Sequence, residues 1–114
     1  MARGGGVKNI YISGRMTGEH CFNFERFFYH AHRFRLDGWN PLNPAEHDCM
    51  KMFDGWQYSE DQYEAVIQYD LELIKDKADA IFMLDGWRRS KGARRELYVA
   101  MEKGIEIIYE TKGS

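Results

Sequence analysis

With 114 residues, 44% of them hydrophobic and 15% aromatic, the chain can fill the core of one domain and is too short for two. That composition excludes a disordered segment, and a net charge of −2 excludes a global field drawing the protein onto a nucleic-acid polymer or an anionic membrane. No apolar run approaches the ~20 residues that span a bilayer. No signal-peptide core follows Met1, and Cys21 and Cys49 lack any Cys-x-x-Cys spacing, so a reducing cytoplasm is the expected location.

Residues 1–6, rich in glycine, read as a flexible lead-in, and residues 7–114 as a single domain. Residues 7–12 form a first buried strand that ends in Ser13 and Gly14. The loop that follows, through Arg15, Met16, Thr17 and Gly18, matches neither a dinucleotide fingerprint nor a Walker A sequence. Residues 22–36 read as a helix, with Asn23 as N-cap, Gly38 at the stop position and Phe24, Phe27, Phe28 and Phe34 on a broad apolar face. Residues 39–42 are a short second strand closed by Asn43 and Pro44. A long irregular stretch at 45–58 carries Met50, Met52, Phe53 and Trp56, and long loops in compact domains are often functional. With Trp87 these side chains could line an apolar slot for a nucleobase, although plain core accounts for at least half of them.

The clearest helix is 59–78. Ser59 and Gln62 make a capping-box pattern, and Tyr63, Val66, Ile67, Leu71, Ile74 and Ala78 mark the apolar stripe. Asp70 falls inside that stripe, three residues from Ile67 and four from Ile74. Either it reaches solvent or a lysine at the helix flank, or it does chemistry. Residues 80–84 are a third strand, 91–103 a third helix with Gly104 as C-cap, and 105–109 a fourth strand. Strands alternating with helices predict a parallel sheet covered on both faces, with ligands at the carboxyl ends of strands where the strand order reverses. Ser13, Gly14 and the 85–90 turn lie at such ends.

The stretch 85–96, DGWRRSKGARRE, is the most informative. A strand, a basic turn containing glycine and a helix start bring free N–H groups and the helix dipole to bear on an anion. Ser90 is both a helix N-cap and a phosphate ligand by type. Arg88, Arg89, Arg94 and Arg95 cannot all reach one ligand, so at least two are ordinary solvated charges. Glu96 lies beside the inward face formed by Ala93, Leu97, Ala100 and Met101. Its side chain should lean back toward the turn, where Gly92 and Ala93 leave room for a ligand. The histidines, His20, His30, His32 and His47, show no metal spacing, and no metal or organic cofactor is implied.

Four pieces in order resemble the nucleoside 2-deoxyribosyltransferase superfamily, which includes nucleotide N-glycosidases and small phage and bacterial proteins: residues 10–18, then Asn43 and Pro44, then Tyr69 to Leu71 with Ala78 and Asp79, then Ser90 and Gly92 with Glu96. The resemblance implies a flavodoxin-like α/β three-layer sandwich with a four- to five-stranded parallel sheet. It implies that Glu96 is the nucleophile that attacks the anomeric carbon, that Asp70 assists departure of the base, and that Tyr11 orients Glu96. Ser13, Gly14, Arg15, Met16, Trp87, Arg89, Ser90 and Gly92 would contact substrate. Six residues before the nucleophile, the transferases tend to carry an aspartate for a free 5′-hydroxyl, whereas the hydrolases resemble this chain in carrying serine. Ser90 therefore favours a nucleoside 5′-monophosphate, with water as acceptor. Base exchange between nucleosides, a non-catalytic nucleotide-binding module, and a diphosphate or dinucleotide-like ligand stay open. A homodimer or larger assembly is expected by the same analogy.

Overall fold

The computed structural model describes residues 6–16, 23–46 and 63–110, together with the backbone but not the side chains of 60–62. Nearly all of the glycine-rich lead-in, Thr17, Gly18, His20, Cys21, Phe22, His47, Cys49, Met50, Met52, Phe53, Trp56 and the Ser59 cap lie outside the described residues. The elements are β1 (Asn9–Ser13), α1 (Phe24–Leu36), β2 (Asn40–Leu42), α2 (Glu60–Lys77), β3 (Ala80–Met83), a 3-10 turn (Trp87–Arg89), α3 (Lys91–Lys103) and β4 (Glu106–Tyr109). The four strands pair in parallel in the order β2-β1-β3-β4, which makes a flavodoxin-like three-layer α/β sandwich.

Period-two alternation sorts the side chains between the two faces. Ile10, Ile12, Ala80, Phe82 and Leu84 pack under Phe27 and Ala31 of α1. Tyr11, Ile81 and Met83 pack under α2 and α3, against Ile67, Leu71, Ile74, Ala93, Leu97, Val99 and Ala100. Chain order reverses at β1, which has β2 on one side and β3 on the other. The carboxyl ends of β1 and β3 therefore border the crevice where such sheets bind ligands. There Leu84 N–H donates to the Ser13 carbonyl at 2.8 Å and extends the pairing past Met83.

Several local expectations need correction. Asn23 stands at the start of α1 but has φ +64° and makes no side-chain cap; its Nδ2 donates instead to the Arg15 carbonyl at 2.9 Å. An N-cap requires extended backbone, which Asn23 lacks. Ala45 and Glu46, read as the start of an irregular stretch, are helical, with Asn43 Oδ1 accepting from Ala45 N–H at 3.0 Å. Met101 is 59% exposed, and Val99 takes the buried place expected for it. The buried arc of α3 runs through Gly92, Glu96 and Val99 because α2 packs on that flank.

Gly14 is a point of close approach. A Cβ there would lie 2.7 Å from Leu84 Cδ1 and 2.8 Å from Leu84 Cβ, and Leu84 is itself fully buried. Gly14→Ala is expected to cost about 1–3 kcal/mol by overpacking, read as a fall of several degrees in melting temperature.

Candidate active site

Glu96 is 5% exposed and lies in the second turn of α3. Tyr11 and Ser13 share one face of β1, being two residues apart, and both reach it. The Tyr11 hydroxyl donates to Oε2 at 2.8 Å and Ser13 Oγ donates to Oε1 at 2.6 Å. A carboxylate only accepts hydrogen bonds, so two O–H donors on its two oxygens suit the ionised group and fix its plane. Burying a carboxylate is costly, and this one is held by two donors from β1. Ser13, expected to contact substrate, is fully buried beneath Glu96 and holds it.

Asp70 is 3% exposed and shares its stripe with buried Ile67, Leu71 and Ile74. Asp70 therefore does not reach solvent at the helix flank. Gly92 does not leave room for a ligand above it. A Cβ there would meet the Tyr63 hydroxyl at 2.9 Å and Ile67 Cδ1 at 3.0 Å, so the glycine lets α2 and α3 close together. Tyr63 turns its hydroxyl toward Gly92, a placement that the apolar-stripe spacing does not reveal because spacing fixes the ring and not its polar end. Seven residues before Asp70, it lies on the same helix face two turns earlier. Burial first, and then the charge of Glu96, raise its phenol above the ordinary value of 10.

The turn between β3 and α3 pivots on Gly86, with φ +94°. Ser90 caps α3 by accepting from Ala93 N–H at 3.1 Å. Trp87 packs against the Tyr11 and Ala93 side of the core, 6.0 Å from the Tyr109 ring, with the Arg88 guanidinium 4.7 Å above it. Arg94 Nη1 donates to the Arg88 carbonyl at 2.6 Å. Arg95 forks onto Glu64 at 3.0 and 2.8 Å, and those hydrogen bonds hold the Glu64 carboxyl down to about 2. Arg89 is exposed at the turn. Arg15 and Met16 are half-buried after β1, and Met16 packs with the Ile10, Ile12 and Phe27 cluster, on the sheet face opposite Glu96. Among the described residues, no group of three or more His, Cys, Asp or Glu side chains could hold a metal ion.

A second constellation, not anticipated from the sequence, braces this turn from the α1 side. Glu110 accepts from Asp85 N–H at 2.7 Å, from Arg26, and through Oε2 contacts His30 Nε2 at 2.9 Å. Arg26 also reaches the Asp85 carbonyl at 3.4 Å. Burial would raise the Glu110 pKa, but the Asp85 N–H, His30 and Arg26 outweigh it and hold the carboxyl below its ordinary value of 4.5. A depressed carboxylate stabilises the fold above its unfolded pKa and loses that contribution as pH falls through the folded value. Glu110→Gln is therefore expected to lower stability by about 1–2 kcal/mol at pH 7, discounted for partial exposure. The gap from wild type should begin to close as pH drops below 4.5, the ordinary glutamate value, and continue closing through the lower folded value. Chemical unfolding at stepped pH measures it, and a gap unchanged at low pH would show that packing, not charge, is lost.

Residues 8–109, from just before β1 to the end of β4, match the family described as a domain of unknown function (DUF4406). No curated protein matches the chain.

Proposed function

The chain belongs to the DUF4406 family, and we propose that its Glu96 site hydrolyses the N-glycosidic bond of a nucleoside 5′-monophosphate to free base and sugar 5-phosphate. The observation that carries this reading is a buried carboxylate with each oxygen held by a hydroxyl, at the carboxyl end of β1 and beside a basic turn. The resemblance to nucleoside 2-deoxyribosyltransferases supports it.

In this reading, a Glu96 oxygen attacks the anomeric carbon while the C–N bond breaks and its electron pair leaves with the base. Asp70, when protonated, delivers a proton to that base. Water then attacks the same carbon, the sugar–Glu96 ester bond breaks, and the carboxylate is regenerated as Asp70 recovers a proton. Carboxylates suit both halves because the transition states are oxocarbenium-like. Tyr11 and Ser13 keep the attacking oxygen in place, which is where the effective concentration of a bound nucleophile comes from. Ser90, the start of α3 and Arg89 take the 5′-phosphate, and Trp87 borders the base.

Incubation with a panel of nucleoside monophosphates, followed by chromatography, tests the reading. Free base with sugar 5-phosphate supports hydrolysis. A swapped base in the presence of a second base supports the exchange reading, and intact nucleotide supports a binding module. A cytoplasmic homodimer or larger assembly completes the proposal.

A further inference from the structure

The Tyr63 phenol has no part in the reaction as written, yet its position is set on two sides. Its hydroxyl and Ser90 Oγ lie 2.9 and 3.9 Å from one point, the place a Cβ would occupy on Gly92. Gly92 and Glu96 are four residues apart on one helix, so they stack on the same face, one turn from each other. Helical side chains lean toward the N-terminus, which brings Glu96 back toward the phenol. Tyr63 thus stands on the α2 side at the level between the serine assigned to the phosphate and the carboxylate assigned to the anomeric carbon. Its elevated pKa, due first to burial and then to Glu96, keeps the phenol an O–H donor throughout the neutral range.

A sugar 5-phosphate held at one end by Ser90 and attacked at the other by Glu96 passes that hydroxyl with its ring. We propose that Tyr63 is a further substrate-contacting residue, whose O–H donates to a sugar hydroxyl and so selects among sugars. The proposal rests on the glycosidase reading of Glu96. Gly92 is its companion, since any side chain there would push the phenol away.

The test is a cycle between enzyme and substrate. Wild type and Tyr63→Phe are compared by kcat/KM on a nucleoside monophosphate and on its 2′-deoxy and 3′-deoxy forms. Phe preserves the ring packing, and thermal melting checks that it does. Tyr63→Phe is expected to lose about 10- to 100-fold on the sugars carrying the contacted hydroxyl. It should lose little on the one analogue that lacks that hydroxyl. Gly92→Ala, which displaces the phenol, is expected to reproduce the same change in selectivity. A role confined to packing would lower all three rates together, so unchanged ratios among the three sugars in a folded Tyr63→Phe protein overturn the proposal alone. A wild type that releases no base from any of the three overturns both the proposal and the reading beneath it.

Discussion

Glu96→Gln is expected to abolish base release, by about three orders of magnitude or more, in a protein that still folds and still binds nucleotide. The amide matches the carboxylate in size, so the buried site keeps its volume. Gln retains one oxygen to accept a hydrogen bond, and the hydroxyl facing its NH2 group can rotate to accept one in turn. Tyr11 at 2.8 Å and Ser13 at 2.6 Å are therefore both satisfied by the variant. What is lost is nucleophilicity, because a neutral amide oxygen forms no stable ester with an anomeric carbon. The variant could even be more stable, since a buried carboxylate is costly to desolvate. Thermal melting, nucleotide titration and product chromatography on one preparation separate these effects. A variant that fails to bind would make Glu96 a binding residue, and one that turns over normally would remove it from the chemistry.

Ser90→Asp is expected to weaken nucleoside monophosphate binding by at least about two orders of magnitude while leaving nucleoside binding within a few-fold. The substitution is unusually clean. Ser90 has extended backbone, φ −115° and ψ 119°, and its side chain accepts from Ala93 N–H. Aspartate is as good an N-cap as serine, so α3 keeps its start. The cap is kept, and a negative charge appears where the phosphate would sit. Titrations in the Glu96→Gln background avoid turnover. The wild-type preference for nucleotide should also shrink with rising salt, because exposed arginines such as Arg89 supply part of it. Equal wild-type affinity for nucleoside and nucleotide would move base exchange ahead of hydrolysis.

The features legible in the sequence are those fixed by local chemistry. Ser90 and Gly104 mark the two ends of α3, one through a side-chain cap and the other through a φ of +79°, and both effects are short-range. Asp70 stood out because a carboxylate in an apolar stripe is anomalous at the level of spacing alone, and it is buried. β1 starts two residues later than its apolar run suggests, because Val7 is apolar yet 61% exposed: strand pairing begins at Asn9, opposite Asn40. The polar contacts of Tyr63 and Glu110 are not legible in the sequence for a different reason. Their partners lie across the fold, at Gly92 for one and at Asp85, Arg26 and His30 for the other. A phenol in an apolar stripe looks like core, and a glutamate just past the last strand looks like surface.

The proposed reaction passes through a covalent bond between Glu96 and the sugar. A nucleoside monophosphate analogue with fluorine on the sugar beside the anomeric carbon disfavours the positive charge of the transition state and slows hydrolysis of the ester. Mass spectrometry of the protein after incubation and digestion then reads the bond directly. Expected are one sugar-phosphate added to the peptide carrying residue 96, stoichiometric base release, and no adduct in Glu96→Gln. Base release by wild type with the adduct on another residue, or with an active Glu96→Gln protein, would contradict it.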